Sequence, residues 1–138
     1  MMKVCLLAAA TVLLSSAQGQ AQNPRDYLVE CQAGEQFCEG AYRRFRDQFP
    51  KAYRRDYQSQ RNVAFCLSRG CDDAVVRNPI LGCAWRIVIV ASGSPKIDQT
   101  DTSNLKIDCS KIDKLEMQAA MSQADVLLRR IYGRPLPR

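Results

Sequence analysis

Six cysteines constrain this chain more than any other feature. They stand at Cys31, Cys38, Cys66, Cys71, Cys83 and Cys109, and the 138 residues contain no histidine. An even set of cysteines in a small exported chain reads as three disulfides, because the compartment is oxidising and one small core gains from crosslinks. A zinc site would need closely paired thiolates, yet the tightest spacing is Cys66 to Cys71 and no imidazole is available. Neither a metal nor another cofactor is therefore expected. The missing histidine also removes the commonest general base.

Export is read from residues 1–21, where Lys3 precedes an apolar stretch over residues 4–14 and small residues follow at Ala17, Gly19 and Ala21. That stretch is well short of the roughly twenty residues a membrane span needs, so no transmembrane segment is expected. Cys5, the seventh cysteine, would leave with the signal. Residues 22–138 then form one domain, periplasmic or secreted. Charge is uneven along it: −3 over residues 22–42, +5 over residues 43–77 and +3 over the remainder.

Helical spacing dominates. Asn23-Pro24 predicts a capped helix carrying Tyr27, Leu28 and Cys31, broken by Gly34. A second run over residues 35–48 places Cys38, Ala41, Tyr42 and Phe45 on one side, and Pro50 ends or kinks it. A third, over residues 51–69, stops at Gly70. Residues 80–92 are apolar almost all round. The run Ile87-Val88-Ile89-Val90 suits a strand, but length, spacing and the lack of strands to pair with favour a helix buried between neighbours. Thr102 or Ser103 caps a short helix to about Ser110. The last helix starts at an Asp113/Glu116 capping box, carries Met117, Ala120, Met121, Ala124, Leu127, Leu128 and Ile131 as its apolar stripe, and ends at Gly133.

Helix geometry bears on the cysteines. Cys31 and Cys38 would lie about 10 Å apart on a continuous helix, so they pair only if Gly34 interrupts it. Cys66 and Cys71 straddle Gly70, where a local bridge is feasible. Cys83 faces away from Trp85, toward the helix carrying Cys109, which makes Cys83 to Cys109 the preferred pair.

Residues 60–93 carry a further pattern: Gln60, Val63-Ala64, Leu67 and Gly70, then Val75, Asn78, Gly82, Trp85, Ile89-Val90 and Gly93. This spacing resembles the Sel-one-like repeat, a helix-turn-helix relative of the tetratricopeptide repeat. The segment between Gly70 and Val75 is two residues longer than the family turn, and Ile89-Val90 replaces its paired small residues. Residues 103–132 are similar to the capping helices that follow such repeats. The resemblance implies a binding scaffold with no catalytic residue. Independently of it, Ala64 and Gly82 let two helices approach closely and Trp85 fills the groove between them.

Two surface features are candidates for chemistry. Ala41-Tyr42-Arg43-Arg44 is echoed eleven residues later by Ala52-Tyr53-Arg54-Arg55. With Arg46 and Arg61 these form either an anion or partner surface or a solvated helix face with local acid pairs. The carboxylate pairs Glu35/Glu39 and Asp72/Asp73 could serve a hydrolase only across a cleft, and no cleft is evident from the sequence. The expected protein is thus all-α, a short antiparallel helical hairpin bundle stapled by disulfides. Its expected role is a non-enzymatic interaction or adaptor module whose partner is another envelope protein. The alternative is a binder of anionic envelope polymers or lipid headgroups through the Arg-rich segment; nucleic acid is a poor target for an exported chain.

Overall fold

Asparagine, aspartate and glycine write most of the helix boundaries of this chain. The computed structural model describes residues 22–137; the expected export signal, with Cys5, lies outside the described residues. Among the described residues there are five α-helices, α1 Gln36–Tyr53, α2 Tyr57–Arg69, α3 Pro79–Ala91, α4 Gln99–Cys109 and α5 Lys114–Tyr132, and one isolated β-bridge. The protein is an all-α hairpin bundle crosslinked by three disulfides.

The apolar segment is a helix, α3, and it is the centre of the fold. The Asn78 side chain accepts from the Leu81 N–H at 2.9 Å, and Pro79 occupies the first turn, where its missing N–H costs nothing. α2, α4 and α5 all pack against α3, which explains an element apolar on more than one side. Its closest approach is to α2, where a Cβ added to Gly82 would sit 2.3 Å from Ser68 Oγ and 3.2 Å from the Ser68 backbone nitrogen. Trp85 is fully buried and meets the Tyr53 ring edge-on, with centroids 5.3 Å apart. Phe45, Phe49 and Tyr53 continue that aromatic packing along α1.

Polar groups fasten the helices as well. Arg86 of α3 and Asp108 of α4, both 4 % exposed, pair at 2.9 Å, and Arg69 of α2 reaches the other carboxylate oxygen at 3.4 Å. Buried Asp101 accepts from the Tyr57 hydroxyl and lies 3.2 Å from Arg61 Nε, so α4 is held to α2 at a second point. Gln60 donates to the Ala52 carbonyl and to the Tyr132 hydroxyl, both at 3.0 Å, joining α2 to the ends of α1 and α5.

The structure corrects five of the sequence expectations. The helix expected from Asn23-Pro24 is only a 3₁₀ turn, Pro24–Asp26. Beyond it Val29 N–H donates to the Ala74 carbonyl and Val76 N–H to the Tyr27 carbonyl, so bonds to the α2–α3 loop replace a short helix that nucleates poorly alone. Pro50 does not end α1, which runs on to Tyr53; the buried Phe49 and Ala52 beside it offset the one backbone bond that proline removes. The helix expected over residues 51–69 is interrupted at Arg54–Asp56, where Arg55 takes φ +68° and the Asp56 side chain caps α2 by accepting from Ser59 N–H at 2.8 Å. α4 starts at Gln99, not near Ser103, because Asp98 and Asp101 form a reciprocal capping box. Met121, expected in the α5 stripe, is exposed, while Ala120, Ala124, Leu127, Leu128 and Ile131 are buried.

Candidate functional site

The six cysteines form Cys31–Cys38, Cys66–Cys71 and Cys83–Cys109, with Cα–Cα distances of 5.8, 4.8 and 5.0 Å. Cys31 lies outside any helix, and Gly34, at φ +90°, turns the chain before α1 begins at Gln36, so the first pair can close. Cys83–Cys109 ties α3 to α4 inside the bundle. The other two bridges serve one end of the molecule, where the segment before α1 meets the loop after α2.

That loop has an unusual backbone. Gly70 caps α2 at φ +92°, and Cys71, Asp72 and Asp73 follow at +45°, +53° and +59°, making four consecutive left-handed residues. That backbone costs Cys71 about 1 kcal/mol or more, and Asp72 and Asp73 less, since aspartate can hydrogen-bond locally there. The Cys66–Cys71 bridge holds the turn from behind, Val75 N–H donates to the Gly70 carbonyl at 2.9 Å, and Ala74 N–H donates to the Cys71 carbonyl at 3.1 Å. Buried Ala74 and Val75 then anchor its exit.

The result is an acidic surface with apolar anchors. A cavity of about 650 Å³ is lined by Glu30, Glu35, Asp72 and Asp73 together with Val29, Phe37 and the Cys31–Cys38 bridge. Phe37, in the first turn of α1, is 83 % exposed although its neighbour Cys38 is locked in the disulfide. A smaller cavity of about 320 Å³ shares Asp72 and extends the surface to Phe65, Gln48 and Arg44. The sequence reading saw no cleft near the carboxylate pairs; the structure brings Glu35, Asp72 and Asp73 to one. Glu39, one turn on, faces Arg43 instead, at 3.9 Å.

The arginines do not form one patch. Arg43 pairs with Glu39, Arg46 with Asp47 at 3.0 Å, and Arg61 with buried Asp101. Arg55 turns toward α5, donating from Nε to the Ile131 carbonyl at 2.9 Å and lying over the Tyr132 ring. Arg44 lies at the edge of the second cavity, and Arg54, just past the end of α1, is exposed. The residues of the 60–93 pattern are interior: Val63, Ala64, Leu67 and Trp85 are fully buried, Gly82 makes the α2–α3 contact, and Gly70 and Gly93 take positive φ after their helices.

Sequence reasoning missed Phe37, Phe65 and Glu30. A signal existed for Phe37, since it falls off the Cys38, Ala41, Phe45 stripe and is flanked by Glu35 and Glu39. Nothing local announced that Glu30 and Asp73 line one cavity, because forty-odd residues separate them in sequence. Among the described residues no group of three or more His, Cys, Asp or Glu is placed to hold a metal ion, and no helix is long and apolar enough to cross a membrane. No protein-family model, curated protein or solved structure matches the chain.

Proposed function

We propose that this chain is an exported, non-enzymatic interaction module of the cell envelope, which docks a basic surface of a partner protein through its doubly crosslinked acidic end. The observation that carries the reading is Phe37: an aromatic ring 83 % exposed, held beside a disulfide, at the mouth of a cavity walled by four carboxylates. Exposed aromatics on rigid supports are the typical anchors of protein interfaces, and surrounding carboxylates steer a cationic partner and set its register. The strained Gly70–Asp73 turn supports it further, since left-handed backbone at three non-glycine positions is sustained where it aims side chains for a task.

In this reading residues 60–93 are a Sel-one-like repeat and residues 103–132 its capping helices, a scaffold whose work is to hold the acidic end still. The segment from Gly70 to Val75, two residues longer than the family turn, contains the left-handed stretch. Three disulfides in a small chain suit the periplasm or the exterior.

The test is affinity capture from the native envelope with the wild type and two variants. Phe37→Ala should cut recovery of the partner roughly tenfold, the usual weight of a central aromatic anchor. Glu30→Gln with Asp72→Asn and Asp73→Asn keeps the turn, because asparagine tolerates left-handed backbone, and should remove most of the salt dependence of capture. Capture indifferent to both variants, but lost in Arg43→Glu with Arg54→Glu, would overturn the reading in favour of an anionic ligand on the Arg-rich segment.

A further inference from the structure

A second surface lies at the other end of α1, about 24 Å along the helix from Phe37. It is a trough of about 670 Å³ between the end of α1, the start of α3 and the outer face of α5. That size falls within the range of small-molecule sites. Leu81 and Leu127 form its floor, and Val126, 64 % exposed, stands as its apolar wall. The Tyr53 ring closes one side, its hydroxyl already committed to Gln22 Oε1 at 2.8 Å.

Two arginines flank the trough and differ in one respect. Arg129 is neutralised by Asp125, Nε to Oδ2 at 2.8 Å. Arg130 pairs with no carboxylate among the described residues; its guanidinium lies 4.8 Å over the Tyr53 ring. A guanidinium held over a ring by cation–π attraction keeps N–H donors that can receive a carboxylate by two parallel hydrogen bonds. An apolar trough with one fixed, unmatched positive charge at its rim complements an alkyl chain ending in one negative charge.

We propose that this trough binds a medium-chain fatty acid anion, with the alkyl chain along Leu81, Leu127 and Val126 and the carboxylate on Arg130. The site is independent of the acidic end and shares no residue with it. Trp85, the sole tryptophan, does not line the trough but is buried edge-on against Tyr53, which does, so its emission reads changes at that ring.

The experiment is titration of the purified, oxidised protein with dodecanoate and with dodecanol, both below their aggregation limits, followed by Trp85 emission and by calorimetry. Dodecanoate should bind with saturation and roughly tenfold tighter than the alcohol, the ratio expected of one charge-assisted bidentate contact. Arg130→Gln should bring the acid down to the affinity of the alcohol. Val126→Asp, at an exposed position that leaves the fold intact by circular dichroism, should abolish binding of both, and Phe37→Ala should bind dodecanoate as the wild type does. No binding by the wild type, equal affinity for acid and alcohol, or an Arg130→Gln protein that still prefers the acid would each overturn the proposal.

Discussion

Gly82 shows how much rests on single atoms here. A methyl group at that position meets Ser68 Oγ at 2.3 Å and the Ser68 backbone beyond it, so Gly82→Ala should cost about 1–3 kcal/mol, read as a lower urea midpoint at unchanged slope. Ser68 Oγ is buried without a hydrogen-bond partner among the described residues, so Ser68→Ala alone should be close to neutral and should recover part of the loss in the double variant. Additive losses would show that the helices do not approach there. Two tyrosines make a second residue-level prediction. Burial is the main cause that pushes the Tyr53 phenol up to about 12, against the pull of Arg130. For Tyr57, also pushed up to about 12, burial is joined by the hydrogen bond and negative charge of Asp101, with Arg61 opposing. A phenol whose folded pKa lies above its unfolded value near 10 favours the folded state fully below pH 10, and that contribution fades as pH rises toward 12. Absorbance at 295 nm should therefore show these two tyrosines ionising well above pH 10, with unfolding setting in between pH 10 and 12. Ionisation of all five together near pH 10 in a folded protein would contradict the packing.

At the scale of the helices, α4 depends on tertiary support. Exposed positions dominate it, and it is held by the Cys83–Cys109 bridge, by Asp108 on Arg86 and by Asp101 on Tyr57 and Arg61. Asp108→Ala would strand the buried Arg86 charge and should cost about 3–5 kcal/mol, whereas replacing both partners by apolar residues should cost far less. Removing the Cys83–Cys109 bridge should cost about 3–4 kcal/mol on loop-closure grounds, more than either shorter bridge, in a comparison of Cys-to-Ser pairs by chemical denaturation. The same physics explains which elements the sequence disclosed. α3 and α5 were legible because burial imposes an apolar pattern, and α5 adds a capping box with Glu at its third position. α4 has no apolar stripe to announce it, and its box closes with Asp101 where Glu or Gln is usual, so its start was placed too late. The break at Arg54–Asp56 hid inside a continuous helical spacing because Tyr53, Tyr57, Gln60 and Val63 keep the same phase across it. Asp56 before Tyr57 was the available cue. The acidic end was not legible at all as a site: its carboxylates come from two segments joined by the Leu28 to Val75 bridge, a contact that no local pattern encodes.

The whole molecule divides its work between a crosslinked interior and two unlike ends. α3 is surrounded by α2, α4 and α5, and around this centre the chain places an acidic, aromatic surface at one end of α1 and, at the other, an apolar trough flanked by Arg130, which pairs with no carboxylate among the described residues. Two of the three disulfides brace the acidic end, and short loops of this kind stabilise by only about 2 kcal/mol each. Their larger consequence is rigidity, which under the proposed function lowers the entropy that docking of a partner would cost. Selective reduction of these two bridges should therefore weaken partner capture more than it lowers the melting temperature. The most direct test of the interaction reading is photo-crosslinking in the intact envelope from a reactive residue placed at position 37, with position 126 as the control. The account predicts one discrete protein adduct from position 37, absent from position 126 and suppressed when Glu30, Asp72 and Asp73 are neutralised. No adduct from position 37, or the same adducts from both positions whatever the charge of the cavity, would contradict it.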